Sequence, residues 1–134
     1  MSKSITVSER RGDKGAGKYT NDVMTARHRL IADEPESLGS ADLGPAPFEY
    51  ICAGLGACTT ITLRMYAGRK NWPALHLSVD VSYKVRGDQP VFTRVLTIEG
   101  DLDESQRARM VEIADKCPVH KMLTKGSLVE TTLT

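Results

Sequence analysis

Cys58 and Cys117 are the residues of this chain best suited to chemistry. Cys58 lies in the run Pro-Phe-Glu-Tyr-Ile-Cys-Ala-Gly-Leu-Gly-Ala-Cys-Thr-Thr at 47–60, and Cys117 opens Cys-Pro-Val-His at 117–120. A thiolate attacks peroxides, and a second thiol captures the resulting sulfenic acid as a disulfide. The two cysteines are distant in sequence, so only a fold can pair them, with Cα atoms within about 7 Å. The alternative for Cys58 is a small buried hydrophobe, as many free cysteines are. No charged residue lies within one turn of it. A cation that favours its thiolate must come from elsewhere in the fold or from a second subunit.

Pro118 suits the first position of a short helix through Leu123, because its missing N–H has no helical partner there. Cys117 then falls at the N-cap, where the amide dipoles favour a thiolate, and His120 and Lys121 add cationic character. The alternative is the last apolar residue of the preceding helix. Cys-x-x-His is also half of a zinc site, but zinc takes three or four ligands. The other histidines, His28 and His76, lack ligand spacing, so no metal or other cofactor is expected.

Glu49 stands nine residues before Cys58, about 900° round a helix, and so half a turn away from it. It can orient a cation at the mouth of a Cys58 pocket; equally, it complements the dipole of the first helical turn. Arg10, Arg11, Arg27 and Arg29 are the upstream cations that could reach a thiolate, and the sequence does not choose among them. Cys52 lies about 240° and about 9 Å from Cys58 on a helix, too far for a disulfide, and reads as structural. Trp72 reads as a helix-end anchor and Asp33-Glu34-Pro35 as loop.

The elements that must position these residues follow from pattern. Residues 4–32 read as short strands: Ile5 and Val7 alternate with Thr6 and Ser8, Gly12–Gly17 is a turn, and Tyr19–Thr25 and Arg27–Ala32 are strand segments whose continuity through Ala26 is open. Residues 33–47 form a loop long enough to suspect a function. A helix runs from Pro47 to about Arg69, with Ile51, Leu55, Cys58, Thr62 and Met65 on one face. Gly and Ala at 53, 54, 56 and 57 make it thin, so another element can press close. Leu75–Arg86 alternates apolar and polar, Gly87–Pro90 turns, and Val91–Glu99 pairs back. Asp103 and Gln106 suit a capping box. The following helix buries Met110, Ile113, Ala114 and Cys117, and Leu128–Leu133 reads as a last strand. The order predicts an α+β fold with an antiparallel sheet.

At 134 residues the chain is one domain, 1–134, or one half of an intertwined dimer. A net charge of +1 gives no support for nucleic-acid or membrane-surface binding. No apolar run approaches the roughly 18 residues of a membrane span. The start, Met-Ser-Lys-Ser-Ile-Thr-Val, has no signal-peptide core. A cytoplasmic setting with reduced thiols is expected. Three cysteines, an odd number, do not suit a closed disulfide framework.

Taken together, these segments resemble the OsmC/Ohr superfamily, the osmotically inducible and organic hydroperoxide resistance proteins. The resemblance rests on Ala-Asp-Glu-Pro at 32–35, Gly-Pro-Ala-Pro-Phe-Glu-Tyr at 44–50 and Leu-Gly-Ala-Cys-Thr at 55–59. Leu-Arg-Met-Tyr-Ala at 63–67, Glu-Gly-Asp-Leu-Asp at 99–103 and Lys-Cys-Pro-Val-His at 116–120 extend it over essentially the whole length. It implies an intertwined homodimer in which antiparallel sheets wrap two long central helices. It places the peroxidatic cysteine on Cys58 and the resolving cysteine on Cys117. The implied reaction reduces organic hydroperoxides to alcohols, and a dithiol, lipoyl-type reductants included, resets the enzyme in oxidative-stress defence. No metal or flavin is implied. In the reductases of this group a glutamate directly follows the proline before the helix; here that position is Phe48, and the acid is Glu49. The family's activating arginine has no firm match.

The expected function is therefore a cytoplasmic, dimeric, thiol-dependent hydroperoxide reductase. The rival is a small-ligand-binding or redox-sensing protein of the same fold, with little peroxidase activity. A cation that reaches Cys58 separates the two.

Overall fold

The computed structural model describes residues 4–134; residues 1–3, which begin the stretch read for a signal core, lie outside them. The chain divides between Ile51 and Cys52 into two compact units. Helices and antiparallel sheets give the α+β class that the pattern predicts.

The N-terminal unit holds β1 (Thr6–Glu9), β2 (Asn21–Met24) and β3 (Arg29–Ala32), in the antiparallel order β1-β2-β3. β2 and β3 are separate strands, not one continuous run through Ala26. The Thr25 hydroxyl accepts from the N–H groups of Arg27 (3.2 Å) and His28 (2.9 Å), and the Thr25 N–H donates to the His28 carbonyl (2.9 Å). A threonine that caps its own turn in this way reverses the chain.

The loop after β3 is organised by one buried carboxylate. Asp33 is 2% exposed and accepts from the Thr20 hydroxyl (2.8 Å), the Glu34 N–H (2.7 Å), the Leu43 N–H (3.1 Å) and the Ser40 hydroxyl. The sequence reading of Asp33 as plain loop therefore misses a structural centre. Burial pushes the Asp33 carboxyl up, but Ser40, the Leu43 and Glu34 amides and Thr20 outweigh it and hold it well below the carboxylate range. The folded-state pKa is thus below the unfolded value of about 3.9. The stabilisation is complete above the unfolded value and is lost as pH falls towards the folded one. Asp33→Asn should lower the thermal midpoint at neutral pH by on the order of 5–10 °C. The gap to wild type should narrow progressively as melting is repeated from about pH 4 downwards; a gap that stays constant over that range would refute the ionic account.

α1 (Pro47–Lys70) opens on Pro47, as predicted. Its buried residues are Leu55, Gly56, Thr59, Leu63 and Ala67. This corrects the predicted face: Cys58 and Thr62 flank it half-buried, and Ile51 and Met65 are exposed. A repeat of four at 100° per residue keeps 55, 59, 63 and 67 in line, and 58 and 62 lie beside that line. The thin helix does admit a neighbour. A Cβ on Gly56 would stand 3.3 Å from Val81 and 3.4 Å from Val79.

In the C-terminal unit, β4 (Ala74–Arg86) and β5 (Gln89–Gly100) form a long hairpin through Gly87, whose φ of 66° suits glycine. Tyr83 pairs with Phe92, ring centroids 5.1 Å apart. Leu77, Val79, Val81 and Tyr83 share the inner face as predicted, but Leu75 and Val85 do not: a register shift between Ala74 and His76 leaves Leu75 exposed, and Val85 is exposed beside the hairpin turn. α2 (Glu104–Ala114) starts with the expected capping box. Asp103 accepts from the Gln106 N–H (2.7 Å), and the Gln106 side chain accepts from the Asp103 N–H (2.9 Å). α3 (Pro118–Lys125) follows directly.

Leu63, Ala67, Ala74, Leu102, Met110, Ile113 and Ala114 form the core, with Trp72 packed against it. Trp72 meets Tyr66 edge-on at 5.4 Å, the helix-end anchor expected of it. Arg107 donates to the carbonyls of Ile98 (2.8 Å), Gly100 (3.0 Å) and Leu102 (3.2 Å), and so ties β5 to α2. The predicted strand at Leu128–Leu133 does not form. That segment is without regular structure, and Leu128, Val129 and Leu133 are exposed. A strand needs a neighbour to satisfy its ladder, and no described strand of this chain pairs with it.

Candidate functional site

The C-terminal unit brings Cys58 and Cys117 together. Cys117 is the N-cap of α3, with extended backbone (ψ 129°) and Pro118 at the first helical position. It is fully buried, whereas Cys58 is half-buried on the flank of α1. Both are free thiols, and their sulfurs lie within hydrogen-bond reach of one another. The N–H groups of Val119 and His120 point at the Cys117 sulfur, as the open amides of a helix start do. The Thr59 hydroxyl also reaches Cys117; the Thr62 hydroxyl and the Val119 N–H reach Cys58.

These donors divide the charge unequally. Burial lifts the Cys58 thiol, the hydrogen bond and negative charge of Cys117 lift it further, and Val119 and Thr62 only partly oppose them. Burial alone would also lift Cys117, but Cys58, the His120 and Val119 amides and Thr59 outweigh it and pull that thiol down. The first thiolate of the pair therefore rests on Cys117, with the Cys58 S–H donating to it.

Arg94 of β5 is linked to this pair through Thr59. Its Nη1 donates to the Ala114 carbonyl (3.0 Å) and the Thr59 hydroxyl (3.1 Å). Its Nη2 meets Asp115 Oδ1 at 2.8 Å and His120 Nδ1 at 2.9 Å. Arginine can only donate, so His120 Nδ1 accepts, and the ring proton lies on Nε2, 3.7 Å from Asp115. One side chain thus joins β5, α1, the end of α2 and the first turn of α3. A cleft of about 480 Å³ opens beside it, lined in part by Leu55, Phe92, Arg94, His120 and Leu123.

Arg94 and Thr59 were not among the residues singled out from sequence. A signal for Arg94 was present: Phe92, Arg94, Leu96 and Ile98 are in phase, so this arginine sits on the inner face of its strand. Of the four upstream arginines, Arg10 is paired with Asp22 inside the N-terminal unit, and Arg11, Arg27 and Arg29 are exposed. Glu49 accepts from the Ala46 N–H at 2.9 Å and so caps the start of α1. Cys52 is half-buried.

The structure is that of a mixed α+β protein with two neighbouring thiols, one half-buried and one buried. The model of the OsmC-like proteins matches residues 39–132, and the chain belongs to that family. Solved structures share the fold at low identity. An OsmC-like protein from Mycoplasma pneumoniae is 17% identical, with a TM-score of 0.74 over 92% of this chain and 88% of that one. The organic hydroperoxide resistance protein OhrB of Bacillus subtilis is 20% identical, with a TM-score of 0.63 over 94% and 92%. An organic hydroperoxide resistance protein OsmC from Legionella pneumophila is 19% identical, with a TM-score of 0.66 over 92% and 89%. No curated protein matches the chain. Among the described residues, no helix is long and apolar enough to cross a membrane.

Proposed function

We propose that the chain, acting as a single OsmC-like domain in a cytoplasmic homodimer, is a thiol-dependent peroxidase that reduces organic hydroperoxides to alcohols in oxidative-stress defence. The observation that carries this reading is the meeting of Cys58 and Cys117, one sulfur accessible and the other buried at a helix start. The names of structural relatives as organic hydroperoxide resistance proteins support the substrate class. Exposed Ile61 and Met65 on α1 support a second copy against that helix.

As the peroxide approaches, the Cys58 proton passes to Cys117, and the Cys58 sulfur attacks the outer peroxide oxygen. The O–O bond breaks, and the leaving alkoxide takes a proton from water and departs as the alcohol; the proton on Cys117 goes to the hydroxide that leaves in the next step. Cys58 is now a sulfenic acid. Cys117 attacks its sulfur, the S–O bond breaks, water leaves, and a Cys58–Cys117 disulfide remains. A dithiol, lipoyl-type in this reading, returns both thiols. No cofactor enters the cycle.

The test is to mix the reduced protein with cumene hydroperoxide and dithiothreitol and follow peroxide loss. Turnover, with the Cys58–Cys117 disulfide found by mass spectrometry after one equivalent of peroxide, is expected. Loss no faster than in buffer, with both thiols still free, would overturn the peroxidase and favour a ligand-binding protein of the same fold.

A further inference from the structure

We propose that Thr59 and Arg94 are positioning residues that hold the Cys117 sulfur as the leaving thiolate when a thiol reductant opens the Cys58–Cys117 disulfide, so that reduction always begins at Cys58. This rests on the pairing proposed above and adds a direction to it.

The argument starts from one hydroxyl. Thr59 is fully buried. Its Oγ1 donates to the Leu55 carbonyl at 2.7 Å and accepts from Arg94 Nη1 at 3.1 Å. It also lies within hydrogen-bond reach of Cys117. A hydroxyl has one proton, so it cannot serve Leu55 and Cys117 at once. The Leu55 carbonyl is four residues back on the same helix and already accepts the Thr59 N–H, so it loses little when the hydroxyl turns away. When charge appears on Cys117, the hydroxyl turns to donate to the sulfur. Arg94 occupies an oxygen lone pair of Thr59 and polarises its O–H, which strengthens that donation. The guanidinium thereby acts on Cys117 through Thr59. The Val119 and His120 amides complete the cradle.

Cys58 has fewer donors, the Thr62 hydroxyl and the Val119 N–H, and burial outweighs them; it is also the less buried residue of the pair. In thiol–disulfide exchange, attack falls on the reachable sulfur, and the better-stabilised thiolate leaves faster. A reductant thiolate therefore attacks Cys58, the S–S bond breaks, and its electron pair goes to Cys117. A mixed disulfide remains on Cys58. With dithiothreitol, the second thiol attacks its own sulfur in that bond, Cys58 leaves and takes a proton, and the reductant closes to a cyclic disulfide.

The test needs no peroxide, because the disulfide is made with diamide; it therefore stands apart from the peroxidase assay. Its reduction by dithiothreitol is followed by rapid alkylation and mass spectrometry. Thr59→Val should slow reduction about tenfold, the loss of one hydrogen bond to a charged sulfur, and Thr59→Ser should restore it. Arg94→Gln should slow it in the same sense and serves if Thr59→Val does not fold. In the wild type, a brief pulse of glutathione should leave its adduct on Cys58 and a free thiol on Cys117. Unchanged reduction in Thr59→Val, no rescue by serine, an adduct on Cys117, or no disulfide with diamide would each overturn the proposal.

Discussion

Cys58→Ser should consume cumene hydroperoxide no faster than buffer, a loss of more than about 10³-fold, because a serine hydroxyl is not a nucleophile without its own base. Cys117→Ser should fail differently. It removes the hydrogen bond and the negative charge that Cys117 sets against the Cys58 thiolate, which together with burial lift that thiol. With them gone, burial is what still holds the Cys58 thiol up, and one equivalent of peroxide should still oxidise it near neutral pH. Sustained turnover should then collapse, because the sulfenic acid has no resolving partner and goes on to the sulfinic acid. Intact mass after one and after ten equivalents of peroxide separates the two variants. An unoxidised Cys117→Ser protein would mean that Cys117, not Cys58, makes the first attack.

Arg94→Met should cost about 3 kcal/mol of stability, the largest loss expected from a single polar side chain in the C-terminal unit. Hydrogen bonds from a charged donor contribute about 1.5–3 kcal/mol each, and two of those made by Arg94 go to buried or internal acceptors, Thr59 and the Ala114 carbonyl. Its side chain is only 13% exposed, so solvent does little to replace them. The Asp115 pair adds less, because that carboxylate is 64% exposed. Lysine should recover little, since one ammonium on a flexible stem cannot reproduce a planar fork with several donors. Urea unfolding followed by Trp72 fluorescence measures the loss. A change under about 1 kcal/mol would show that α2 and α3 hold their corner without the guanidinium.

Local rules read correctly wherever the deciding contacts lie within a few residues. Pro47 opens a helix because its missing N–H has no helical partner there. Asp103 and Gln106 cap each other across three residues. Cys117 is an N-cap because Pro118 follows it. The combined motifs also carried the family. Local rules failed where the partner was distant or missing. Leu128–Leu133 has strand composition but no described strand beside it, and Leu75 keeps the alternation yet leaves the inner face at a register shift.

What the amino-acid order alone determined, then, is most of the elements and the family. What the tertiary structure decided is how those thiols share charge. The four arginines weighed from sequence lie upstream, whereas the one linked to Cys117 through Thr59 is Arg94, placed by the phase of β5. Asp33 reads as loop until Thr20 and Ser40 close on it from either side in sequence. A thiol's ionisation depends on every donor and on the low-dielectric surroundings within a few ångströms. The donors round the Cys117 sulfur come from α1 and α3, and Arg94 of β5 ties them to each other and to the end of α2, so only the packing of the four assembles the site.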